Sequence, residues 1–259
     1  MKRYLIIFLF LFGCAQIDTA VKPGNERFVV GNGDIGVILT HGLAASPYEV
    51  KGLAEYLAER NITVYAVRLA GHGTSVEDLD TKTWFNWYDD FNDAYLVAKE
   101  NKTKIFAGGM SLGANLALLL AAHNDVDGII ALAPSLMLKD GAVNYAWIIK
   151  YFMKHRKRDI PQDRKQYYYS SFSVSGIDET LKLGKIVRNG LNRVNEPILI
   201  MQYTNDTRVE PESSQVVYDD VNSTEKELYW VNGTGHVFLL DEGKEKYFEK
   251  IYQFILNNS

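Results

Sequence analysis

The chain has 259 residues, 47% of them hydrophobic and 23% charged, which places it among globular proteins with room for one large domain or two small ones. Its formal net charge of -4 gives no general attraction to nucleic acid, although the run KHRKR at residues 154–158 makes a small local basic patch. No internal repeat or low-complexity tract points to a solenoid.

The first segment, MKRYLIIFLFLFGC, joins Lys2 and Arg3 to an apolar run from Tyr4 to Phe12, followed by Gly13 and Cys14. Such a run is too short to span a bilayer as a mature helix and reads as a secretory signal. The tetrapeptide LFGC resembles the lipobox of bacterial lipoprotein signals, in which the cysteine becomes the acylated first residue of the mature chain. That resemblance implies a palmitate-type lipid anchor on Cys14 and attachment to a membrane of the bacterial cell envelope. The alternative is a cleaved signal with a secreted or periplasmic product. Cys14 is the only cysteine, so no disulfide is available and the domain depends on its core. On this reading residues 1–14 are the signal, 15–26 a polar tether and 27–259 the folded domain.

Beyond the tether, apolar runs alternate with helical patterns. GVILTHG (36–42), ITVYAVRL (62–69), KIFAGGM (104–110), GIIALAP (128–134), PILIMQY (197–203) and EKELYWV (225–231) read as strands. Most are apolar on both faces, as strands of a parallel sheet covered by helices are. SPYEVKGLAEYLAER, TWFNWYDDFNDAYLVAKE, LGANLALLLAAH, EPESSQVVYDDV and KEKYFEKIYQFILNN carry helical spacing between and after them. The alternation predicts an α/β domain with a mostly parallel central sheet. The interval of about 136–192 lacks a convincing core strand and is too long for an ordinary connection. Its segments VNYAWIIKYFMKHRKR, RKQYYYSSF and IDETLKLGKIVRN read as helical or irregular pieces of a small, mainly helical cap over one end of the sheet.

Between a strand and a helix lies GGMSLG, which contains G-x-S-x-G as Gly109, Met110, Ser111, Leu112 and Gly113. The glycines allow a tight turn that lifts the Ser111 hydroxyl above the sheet; by itself the pentapeptide also fits a plain turn or helix cap. A serine nucleophile needs a histidine to take its proton and a carboxylate to orient that histidine. Of five histidines, His236 in the glycine-rich NGTGHVF, after the last expected strand, is best placed as base. His123 ends the helix behind Ser111, and His155 lies in the basic run. Asp206 follows the strand ending at Tyr203 and is the expected acid, with Glu210, Asp219 and Asp220 as competitors. Backbone N–H groups of Leu43, in the loop after the 36–42 strand, and of Leu112 fit the two donor positions for a developing oxyanion. His41 and His72, in the glycine-bearing segments LTHGL and AGHGT, read as loop-fixing residues.

Together HGLAAS, VRLAGHGTS, GGMSLG, NDTRVEP and GTGH resemble the bacterial carboxylesterase and monoacylglycerol lipase branch of the α/β-hydrolase superfamily, over about residues 26–257. The resemblance implies the α/β-hydrolase fold, Ser111 as nucleophile, Asp206 as acid, His236 as base, an oxyanion hole at Leu43 and Leu112, and a lid whose apolar inner face admits an acyl chain. It implies a serine ester hydrolase for short- to medium-chain acyl esters or monoacylglycerols, working through an acyl-enzyme without cofactor or metal. No G-x-G-x-x-G or Walker loop and no metal-ligand spacing is present. Met110 and Val237 near the centre, and Trp147, Tyr167, Tyr168, Tyr169 and Phe172 in the cap, are candidate substrate contacts or, for the cap aromatics, ordinary cap core. A feruloyl- or cinnamoyl-type esterase or an acyl thioesterase would use the same triad, and a noncatalytic lipid-binding lipoprotein is the alternative outside enzymes.

Overall fold

Strands apolar on both faces need cover on both sides, and the chain buries them in a seven-stranded sheet. The computed structural model describes residues 16–259. Its strands are β1 (Phe28–Val30), β2 (Ile35–Thr40), β3 (Ile62–Val67), β4 (Lys104–Met110), β5 (Gly128–Leu132), β6 (His155–Lys157), β7 (Ser171–Ser173), β8 (Ile198–Asp206) and β9 (Lys226–Gly235). The main sheet runs β1-β3-β2-β4-β5-β8-β9, with β6 and β7 forming a separate antiparallel pair. Every neighbour in the main sheet is parallel except β1, which lies antiparallel on the edge of β3. A strand of three residues carries too little pattern to be foreseen, and β1 has no counterpart among the expected strands.

The helices are α1 (Tyr48–Ala58), α2 (Val76–Leu79), α3 (Trp84–Asn101), α4 (Leu112–Ala121), α5 (Ala146–Ile149), α6 (Val174–Gly190), α7 (Glu212–Asp220) and α8 (Glu245–Asn257). Val37 and Leu39 point to one face of the sheet, where they pack with Leu53 and Leu57 of α1 and Phe248 and Ile251 of α8. Ile38 points to the other, among Trp87 and Phe91 of α3, Leu116 and Leu120 of α4, and Leu183 of α6. This alternation within one strand is the period-two geometry of a sheet covered on both sides. All ten residues of α4 are buried, so a sequence apolar all round but for Asn115, whose amide donates to Ser135 O, suits a helix walled in by the sheet, α3 and α6.

Between β5 and β8 the chain builds the cap from a 3-10 turn at Gly141–Tyr145, α5, the β6–β7 hairpin and α6. The segment 143–158, read as a helical or irregular piece, holds a helix of only four residues, α5, and part of KHRKR becomes β6, paired with Ser171–Ser173. Long-range pairing outweighs local helix propensity there. The expected tether is partly tied down: Lys22 N–H donates to Gly73 O, the Ser75 hydroxyl donates to Asp18 O, and the Asn25 amide donates to Gln166 O.

The expected membrane attachment is corrected. Among the described residues no helix is long and apolar enough to cross a membrane. The longest, α3, carries Asp89, Asp90, Asp93, Lys99 and Glu100, which hydrocarbon would not accommodate. Cys14 and the leader lie outside the described residues. The lipoprotein, signal-peptide and palmitate reading, the envelope localisation and the lipid-anchored membrane partner are therefore not part of the assignment.

Candidate active site

The turn between β4 and α4 is made by backbone crowding. A Cβ at Gly109 would stand 2.7 Å from the carbonyl carbon of Gly113 and 2.8 Å from Thr40 O, and one at Gly113 would stand 2.7 Å from the same Thr40 oxygen. Only glycine lets these segments of backbone meet. The turn leaves Ser111 at φ 57° and ψ -109°, a strained conformation for a residue with a Cβ. Ser111 N–H donates to Leu132 O at 2.7 Å, anchoring the elbow to β5.

Sheet register brings the other two groups together. β8 and β9 both run beyond their expected ends, with a register shift at Tyr203 and Asn205, so that Asp206 pairs with Gly235 and His236 follows directly. His236 Nδ1 lies 2.8 Å from Asp206 Oδ2 and 3.0 Å from Oδ1. The N–H groups of Arg208 and Val209 donate to Asp206 Oδ1 at 2.8 and 3.0 Å. Burial alone would raise the Asp206 pKa, but the His236 hydrogen bond and charge and the two backbone donors outweigh it. The carboxyl is held below its ordinary value.

Among the described residues Leu43 N–H has no acceptor, and Leu112 N–H opens α4, where the helix itself offers none. Next to Leu43, Gly42 N–H donates to Glu49 Oε2 at 2.7 Å, while Glu49 Oε1 accepts from the Tyr168 hydroxyl at 2.9 Å. Burial raises the Glu49 pKa, against the pull of Gly42 N–H, Tyr168, His236 and Arg158. His41 fastens the same loop: Nδ1–H donates to Gly42 O at 2.8 Å and Nε2 accepts from Leu69 N–H at 3.3 Å. Its ring centroid is 4.9 Å from that of His72.

Burial lowers the His41 pKa from 6.5 to about 4, partly opposed by the Gly42 bond, and lowers His72 well below 6.5. Both imidazoles are neutral in the folded chain, whereas the unfolded chain takes up protons below pH 6.5. Stability is therefore expected to be full above pH 6.5 and to fall as pH drops towards 4, with His41 alone contributing a loss of about 2 kcal/mol by pH 5. Urea unfolding at pH 7.5, 6 and 5 checks this, with His41→Gln expected to flatten the slope. An unchanged slope in that variant would refute the assignment.

Ser111, Leu43, Glu49 and His236 open on one cleft of about 840 Å³ whose far wall is the cap. Of the expected substrate contacts, Tyr168, Phe172 and Val237 line it. The others do not: Met110 is fully buried in the core, Trp147 is 58% exposed on the cap, Tyr167 stacks on Tyr48, and the Tyr169 hydroxyl donates to Gly71 O. Among the cleft residues that sequence reasoning missed are Glu49, Arg158 and Arg208. Arg158 lies over the rings of Phe172 and Tyr168, with Cζ 4.4 and 5.1 Å from their centroids, and Arg208 Cζ lies 5.3 Å from that of Phe172. Burial brings the Arg158 pKa down to about 10; Glu49 opposes the shift and Arg208 adds to it. The KHRKR run was the only sequence signal for Arg158, and nothing local marked Glu49.

A strained serine at a strand-to-helix elbow and a carboxylate-bound histidine on one cleft equip the site for acyl transfer. A family model described as serine aminopeptidase, S33, matches residues 34–165 and 156–243. The chain belongs to this S33 family. Within the α/β-hydrolase superfamily, this S33 protein falls in the carboxylesterase and monoacylglycerol lipase branch. It is 28% identical over 243 residues to the thermostable monoacylglycerol lipase of Bacillus sp. (strain H-257), covering 92% of this chain and 97% of that one. It is 27% identical over 237 residues to the carboxylesterase of Bacillus subtilis (strain 168), covering 89% and 96%. Among solved structures, one from the work on the metagenome-derived lipolytic enzymes LipS and LipT superposes with a TM-score of 0.86 at 28% identity, covering 92% of this chain and all of that one. The S33 protein is a serine hydrolase of carboxylic esters.

Proposed function

We propose that the protein hydrolyses monoacylglycerols and short- to medium-chain acyl esters in two steps, with residues 27–259 as the catalytic unit and about 136–192 as its cap. Ser111 Oγ attacks the ester carbonyl while His236 Nε2 takes its proton. Asp206 holds the imidazole through Nδ1–H and balances the charge that forms. The N–H groups of Leu43 and Leu112 receive the oxyanion. The alcohol leaves with the proton from His236, and water then releases the acid by the same steps. The observation that carries this reading is that His236, held from behind by the buried Asp206, opens on the same cleft as the strained Ser111.

A slot lined by Leu43, Val237 and Ile177 favours each buried acyl CH₂ by about 0.8 kcal/mol, or about fourfold in kcat/KM, until its length is filled. Across p-nitrophenyl esters from acetate to palmitate, kcat/KM is expected to climb to a short- or medium-chain optimum and then fall. Monoacylglycerols should follow the same order. Hydroxycinnamate esters are the second reading, favoured by the Phe172 and Tyr168 rings that flank Arg158 in the cleft. A flat aliphatic series beside faster hydroxycinnamate turnover would replace the first reading with the second.

A further inference from the structure

The cleft is more positive than the protein around it. The whole chain carries a net charge of -4, yet six cationic side chains and four carboxylates line the cleft. Two of the cations stand out. Arg158 and Arg208 share the Phe172 ring, so two like charges are brought together in one partly enclosed space.

Among the described residues neither guanidinium forms an ion pair, while their neighbours do. Arg156 is bound to Asp140, and Arg164 lies 3.7 Å from Asp163. The Arg158 Nε–H is buried and has no acceptor among the described residues. Glu49, in the same cleft, spends its oxygens on Gly42 N–H and the Tyr168 hydroxyl. Asp159 and Asp241 also line the cleft and make no ion pair with either arginine. Arg208 is exposed and Arg158 half-buried, so the orphan is the Arg158 Nε–H, a buried cationic donor of the kind that normally finds an acceptor because leaving it without one is costly. A guanidinium that lies over an aromatic ring makes no hydrogen bond to it, which leaves its N–H groups available for an oxyanion.

We propose that Arg158 and Arg208 form an anion subsite, and that the preferred esters carry a phosphate or carboxylate group on the alcohol or acyl part, seated against these two guanidiniums. The inference rests on the ester-hydrolase reading above and narrows its substrate class. The anion takes no part in bond making. Ser111 still forms the acyl-enzyme, the alcohol still leaves with its proton, and water still releases the acid. Arg208 lies two residues beyond Asp206 and its N–H binds that carboxylate, so the subsite is built onto the loop that holds the acid.

Matched ester pairs test it. 1-Decanoylglycerol 3-phosphate is compared with 1-decanoylglycerol, and mono-p-nitrophenyl adipate with p-nitrophenyl hexanoate. In at least one pair the anionic member should have a kcat/KM about tenfold higher at low salt, with the advantage shrinking as ionic strength rises. Response of the phosphate pair puts the anion on the alcohol side, and response of the adipate pair puts it on the acyl side. Arg158→Gln and Arg208→Gln should each lower that ratio by about tenfold, and Arg158→Lys by less. A ratio within one preparation is insensitive to the folded fraction, and the wild-type salt dependence stands even where a variant folds poorly. Neutral members that match or outrun their partners in both pairs would overturn the subsite and leave the ester-hydrolase reading intact. No turnover of any of the four esters would overturn both.

Discussion

Substitution of Ser111 by alanine is expected to lower kcat on a neutral butyrate ester by on the order of 10⁶-fold, with the fold retained. The loss is this large because the serine oxygen is the atom that forms the covalent bond, and the remaining groups act only in concert with it. A fluorophosphonate probe followed by intact-mass measurement should give one adduct on the wild-type chain and none on Ser111→Ala. Ser111 lines the cleft and is only 9% exposed, so small probes should label faster than bulky ones. An adduct that persists in the variant, with turnover retained, would move the nucleophile elsewhere.

Asp206→Asn should cost roughly 10²- to 10⁴-fold in kcat. Asp206 is fully buried, and its Oδ1 already accepts from the Arg208 and Val209 N–H groups. An asparagine that keeps its oxygen there must present its NH₂ to His236 Nδ1. The imidazole would then carry its proton on Nε2, the nitrogen that has to accept the serine proton, and its charged form would lose its counter-ion. Glu210→Gln, four residues on, should leave kcat within a few-fold of wild type. The opposite ranking would identify Glu210 as the acid and leave the nucleophile untouched.

The parts legible in the sequence are those fixed by short-range pattern. Runs such as ITVYAVRL and KIFAGGM are apolar on both faces because helices cover the sheet on both sides, so their composition already states their environment. The elbow was legible because backbone contact at Gly109 and Gly113 admits no other residue. What was not legible depends on distant pairing. Glu49 reads as an ordinary surface glutamate near the start of α1 until Tyr168, 119 residues later, closes over it. His155–Lys157 reads as part of a basic, helical or irregular piece until Ser171–Ser173 pairs with it, and that pairing also carries the chain into the Arg158 contacts with Phe172 and Tyr168. The cap thus conceals its chemistry in contacts that no window of neighbouring residues contains.

The conformation of Ser111 bears on how this protein could be engineered. At φ 57° and ψ -109° the residue that fits with least strain is glycine. A mutant library ranked by heat resistance alone would therefore be drawn towards Ser111→Gly, and its best survivors would be inert. Wherever thermal selection is applied to this scaffold, turnover has to be scored in the same round, because at position 111 the two criteria pull in opposite directions.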